Sequence, residues 1–86
     1  MTNLTLKEQE EINKFQNEML LVLDEKSKEK LSWLTDGVEV DYLIQETINQ
    51  FSKVITSYYS EADKEIIKKH LIHMANFSMM IWNRLK

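Results

Sequence analysis

Three stretches of the chain carry apolar residues at steps of three and four, the spacing of one helix face. The first holds Ile12, Phe15, Met19, Val22 and Leu23. Just ahead of it, Thr5 and Glu8 stand at capping-box spacing, in which each side chain satisfies a free backbone N–H. The first helix is therefore predicted to start at Thr5. Asp24 to Lys30 is almost entirely charged or polar, so this helix is expected to end near Asp24 to Lys26. Lys28, Lys30, Leu31, Trp33 and Leu34 read as a connector, with Trp33 and the leucines plugging the edge of the core.

Thr35-Asp36-Gly37 punctuates the chain. Asp36, with Glu39 three residues on, is expected to cap a second helix. That helix carries Val40, Leu43, Ile44, Ile48, Phe51, Ile55 and Tyr58 as its apolar stripe, with Glu46, Gln50 and Lys53 on the opposite face. Tyr59-Ser60 breaks the pattern, and Ser60 with Asp63 restarts it. A third helix is predicted from about Glu61 to Arg84. Ile67, Leu71, Met74, Ser78, Ile81 and Leu85 line one of its stripes; Ile66, His70, His73, Phe77 and Met80 line the next. The fold class is then all-α. One domain over residues 1–86 holds an antiparallel helical hairpin with a third helix packed across it, four-helix-bundle-like on oligomerisation. The third helix is apolar around much of its circumference from Leu71 to Trp82, and a helix with two apolar faces needs two partners. Homo-oligomerisation to a dimer or tetramer is expected, with Met74, Phe77, Met80, Ile81 and Trp82 at the interface. The plainer alternative is a monomer with a few exposed Met and Trp side chains.

Composition narrows the function. The 86 residues include one Gly, no Pro and no Cys. A single Gly excludes the glycine-rich phosphate loops, and the lack of Cys removes disulfides, thiolate metal sites and a Cys nucleophile. Eleven Lys and Arg stand against 14 Asp and Glu, a net charge of −3. Nucleic acid is an unexpected partner for that balance, since a phosphate-backbone binder shows a basic face. The apolar runs are too short to span a membrane, and the N-terminus lacks the pattern of a secretory signal. A cytoplasmic, non-membrane protein is expected.

Three segments resemble a known family. They are Phe15-Gln-Asn-Glu-Met-Leu with Lys28-Glu-Lys-Leu-Ser-Trp33, then Glu46-Thr-Ile-Asn-Gln-Phe-Ser-Lys-Val-Ile55, and then Ile66-Ile-Lys-Lys-His-Leu-Ile-His-Met-Ala-Asn-Phe-Ser-Met-Met-Ile81. Together they resemble the MazG-like all-α nucleoside triphosphate pyrophosphohydrolases, in particular the short phage-type members. Ala75-Asn76-Phe77-Ser78-Met79-Met80 is the most specific part. The resemblance implies a helical bundle, usually dimeric or tetrameric, that hydrolyses nucleoside triphosphates to a monophosphate and pyrophosphate. It also implies Mg²⁺ held by four acidic side chains from two helices. The two family motifs together hold five acids, of which the first falls on Glu46 and is retained. The others fall on Thr47, Gln50, His70 and His73 across the two motifs, while the family's Asn is kept at Asn76.

These departures change the chemistry. Mg²⁺ takes hard oxygen ligands and needs negative charge around it. One carboxylate, two neutral side chains and two imidazoles supply little of either. The resemblance thus implies a catalytically impaired protein with no catalytic residue and no cofactor. It is expected to act by binding a nucleotide or signalling nucleotide, or a host protein partner as a phage-encoded inhibitor. The candidate nucleotide-binding residues are Glu46, Gln50, His70, His73, Asn76, Lys30 and Trp33. The alternative is a metal-dependent pyrophosphohydrolase with altered ligands, in which Glu46, His70 and His73 would hold Mg²⁺ or a transition metal. Set against both is the reading of His70 and His73 as packing or hydrogen-bonding residues at a helix interface. Lys26, Lys28 and Lys30 could likewise hold phosphates or simply form a solvated connector, because they alternate with Glu25 and Glu29.

Overall fold

The structure is a computed structural model that describes residues 3–27 and 38–85. Among these residues the regular elements are three helices: α1 (Leu6–Ser27), α2 (Val40–Tyr59) and α3 (Lys64–Arg84). The first start is the predicted capping box. Thr5 N–H donates to Glu8 Oε1 at 2.8 Å, and Glu8 N–H donates to Thr5 Oγ1 at 3.1 Å. The bond from the Thr5 backbone N–H is the main force holding the Glu8 carboxyl below its ordinary pKa, with the Thr5 side chain adding to it. α1 runs to Ser27, slightly past the predicted end. The proposed connector, with Lys28, Lys30, Trp33 and Asp36, lies outside the described residues.

The other two starts differ from expectation. α2 begins at Val40, and Glu39 occupies the extended flanking position without a side-chain cap. An N-cap at Asp36 would start the helix three residues earlier. α3 begins at Lys64 rather than Glu61, because Asp63 is its cap and accepts from Glu65 N–H at 2.8 Å. The intervening residues end α2 instead. Ala62 N–H donates to Ser57 O and Glu61 N–H to Tyr58 O, the two bonds of a Schellman motif. That motif places the residue after the C-cap in the left-handed region, and Glu61 sits there with φ 58°. Glycine is the usual occupant of such a position.

A four-residue turn between two long helices brings them back antiparallel. Gln50 meets His70, and the Arg84 guanidinium donates to the Val38 carbonyl. Both pairs are centred on Ser60 and Glu61, as an antiparallel hairpin requires. The hairpin is thus α2–α3. α1 packs on α3 alone, and no contact joins α1 to α2 among the described residues. The Asn76 side-chain amide donates to the Met19 carbonyl of α1 at 3.3 Å. Asn76 lies six residues from His70, about 120° around α3 at 3.6 residues per turn. α3 is therefore the central helix, with α2 on one face and α1 on another. α1 and α2 thus each pack on α3 within the chain. Met74, Phe77, Met80 and Ile81 are half-buried there, and Trp82 stays exposed.

The core is small. Leu43, 1% exposed, and Ile72 are the buried apolar residues among those described, joined by the polar Gln50 and Asn76. The apolar stripe predicted for α2 divides. Leu43 faces inward, whereas Ile44, Ile48, Phe51, Ile55 and Tyr58 are exposed. The row directed at α3 is Leu43, Thr47, Gln50, Val54 and Ser57, each buried or half-buried. The correction has a simple geometric cause. The two rows are one residue apart, about 100° of helix rotation, and the sequence favours the outer row as the apolar one.

Candidate functional site

The α2–α3 seam carries the polar groups. Gln50 is buried, and its Oε1 lies 3.2 Å from His70 Nδ1. In the Nδ1–H tautomer the imidazole donates to that oxygen. A buried amide needs such a partner, since an unpaired polar group in the interior costs about 1–3 kcal/mol. One turn earlier, the Thr47 hydroxyl donates to the Leu43 carbonyl at 2.8 Å. Glu46 Oε1 accepts from the Asn49 side-chain amide at 3.4 Å, on the half-exposed edge of the same helix.

The donor set therefore does not fit the Mg²⁺ that the resemblance implies. Thr47 turns its hydroxyl to its own backbone, Gln50 is engaged by His70, and Glu46 is the one carboxylate at these positions. Among the described residues, no three His, Asp or Glu side chains gather closely enough to hold a metal ion.

What does gather is positive charge. His73 is half-buried on α3, and burial is the main force pushing its pKa below the ordinary 6.5. The charges acting on it add to that direction, in the order Lys26, Lys69, His70 and Lys53. Lys26 comes from the last turn of α1, Lys53 from α2, and Lys69 and His70 from α3 itself. Three helices thus bring cations towards one imidazole. None of the three lysines pairs with a carboxylate among the described residues, although the chain as a whole carries a net charge of −3. An arrangement of this kind offers charge and N–H donors to an anion.

Asn76 lies one turn beyond His73, on the side of α3 that meets α1. It is 3% exposed. Its amide nitrogen is bonded to Met19 O, while its Oδ1 is buried without a hydrogen-bond partner.

Of the predicted site residues, the structure brings Gln50, His70 and His73 to the seam and its rim, with Glu46 on the same helix edge and Asn76 on the adjoining face. Lys30 and Trp33 lie outside the described residues. Sequence reasoning placed Lys53 on the polar face of the second helix without a site role and gave Lys69 none. The signal was present: Lys53 follows Gln50 by three residues, and Lys69 precedes His73 by four, so both share helix faces with residues already singled out. Lys26 was weighed with the connector, but it belongs to the last turn of α1, and its charge is the largest acting on His73. No family model matches this chain, and neither a curated protein nor a solved structure matches it.

Among the described residues, no helix is long and apolar enough to cross a membrane.

Proposed function

We propose that this chain binds a phosphorylated nucleotide at the rim of the α2–α3 seam and acts by holding it rather than by hydrolysing it. The observation that carries this reading is the convergence of Lys26, Lys53, Lys69 and His70 on His73 without an opposing carboxylate pair. Phosphate oxygens would take the lysine charges and could be met by His73 N–H. The nucleotide class comes from the MazG-like resemblance of the Ala75–Met80 stretch, and the impaired chemistry from the loss of acids at Thr47, Gln50, His70 and His73.

The test is a thermal-shift screen of the full chain against nucleoside mono-, di- and triphosphates and cyclic nucleotides, with and without Mg²⁺ and Mn²⁺. A ligand at a hundred times its dissociation constant adds about 2.7 kcal/mol, on the order of ten degrees for so small a domain. The expected result is a shift that needs no divalent metal and is lost in Lys53→Glu and His73→Glu. No shift across the panel overturns the reading and leaves a host protein as the partner to seek. A shift that requires metal and comes with pyrophosphate release overturns the non-catalytic part in favour of an altered-metal hydrolase.

A further inference from the structure

The outer row of α2 consists of Ile44, Ile48, Phe51, Ile55 and Tyr58, between 41% and 65% exposed. The spacing alternates four, three, four, three, which is the a/d repeat of a helix seam. A row of this kind on a solvated helix is normally covered. Its exposed surface is on the order of 500 Å², towards the upper end of the largest apolar patch on ordinary monomers. With the flanking Tyr42 and Tyr59, also exposed, it approaches the ~800 Å² per partner of a standard protein interface. The need is equally plain, because the chain's own described core has two buried apolar side chains.

We propose that the occupant is a second copy of this chain, with α2 packed antiparallel to α2 of the copy and Phe51 on the two-fold axis. The row is close to symmetric about Phe51. Ile48 and Ile55 lie three and four residues to either side, and Ile44 and Tyr58 lie seven to either side. A two-fold axis through Phe51 therefore sets Phe51 against itself, Ile48 against Ile55, and Ile44 against Tyr58. An isologous interface requires this self-complementarity. The residues bordering the row, Gln45, Thr47, Ser52, Val54 and Tyr59, carry no charge. Apposition of two copies therefore meets no like-charge repulsion along the seam, and no charge pattern selects a foreign partner instead. Phosphate binding at His73 draws on Lys53 of α2 but on no residue of the outer row, so this proposal stands or falls independently of it.

Sedimentation of the full chain reads the assembly directly. The expected mass at tens of micromolar is twice the 10.3 kDa of the chain, falling to the single mass in Phe51→Glu with helical circular dichroism retained. Leu20→Glu, at an exposed position of α1, keeps the double mass. The lack of native Cys allows the geometry to be read as well. Under mild oxidation Phe51→Cys cross-links to its own copy, whereas Ile44→Cys does not, its two copies lying about 20 Å apart at 1.5 Å per residue. A monomer at 100 µM overturns the proposal, as does a mass that Phe51→Glu leaves unchanged. Cross-linking of Ile44→Cys as readily as Phe51→Cys overturns the antiparallel arrangement.

Discussion

Two rows of side chains run along α2, one residue apart in sequence, and they differ in both chemistry and surroundings. The inner row packs on α3 yet contains Thr47, Gln50 and Ser57. The outer row is Ile, Ile, Phe, Ile and Tyr, and no helix of the described chain covers it. An isolated domain optimised for its own stability would place these rows the other way round. The inner seam is polar because it holds a hydrogen-bonded pair, Gln50 and His70, beside the cationic group at His73. Stability withheld from that seam is available on the outer row once a partner arrives. The comparison separates a helix face built to position polar groups from one built for association.

The largest effect should come from the one fully buried residue of the inner row. Leu43→Ala removes a side chain that is 1% exposed and should cost about 2–5 kcal/mol. Urea unfolding would show this loss at every protein concentration. Phe51→Ala should behave differently. Its penalty should be present at tens of micromolar and vanish on dilution into the monomer range. Equal, concentration-independent losses from the two substitutions would erase the distinction between the rows.

A smaller effect is tied to pH. The folded-state pKa of His73 lies below its ordinary 6.5 because of burial and of Lys26, Lys69, His70 and Lys53. The unfolded chain therefore binds this proton more readily. The stability His73 contributes is present above pH 6.5 and is lost as pH falls through its folded value. An anion at the site reverses the preference, since it favours the protonated imidazole. For a phosphodiester ligand, whose charge does not change over this range, affinity should thus rise on acidification, by at most tenfold per pH unit for one proton taken up. His73→Gln should flatten both dependences. Calorimetric titration at several pH values tests the sign, and an affinity that falls with acidification would contradict the assignment.

The smallest effect lies at the turn that fixes the hairpin. Glu61 occupies the left-handed position of the Schellman motif with φ 58°, where Cβ crowds the following carbonyl oxygen. Glu61→Gly should raise stability by about 0.5–1 kcal/mol, read from the shift in the denaturation midpoint. A loss instead would mean that the Glu61 side chain has a role the backbone geometry does not reveal.

The sequence made some of this legible and hid the rest for identifiable reasons. The Thr5–Glu8 box could be read because both partners are local. The three-four spacing gave three helices because periodicity follows from helix geometry alone. The end of α2 was visible as a break in pattern, but the Schellman turn was not, since the chain's single Gly is Gly37 and Glu61 carries no signal for a positive φ. Ser60 and Asp63 together mark the restart of the pattern, but two capping side chains three residues apart do not say which one starts α3; the structure has Asp63. Which helix each face meets is a tertiary matter. Ile44 and Leu43 are adjacent and both apolar, and only the packing on α3 sends one inward and the other out. The convergence of Lys26, Lys53 and Lys69 on His73 belongs to the same class, because it joins residues more than forty positions apart.

α1 touches the rest of the described chain only through α3, without help from α2. Its backbone amides should then exchange with solvent by a local opening that leaves the α2–α3 hairpin closed. Lys26 is the cation that such an opening would carry away from His73. An anion seated there would favour the closed form and slow the exchange of α1, so ligand occupancy and the docking of α1 are two readings of one coupled equilibrium.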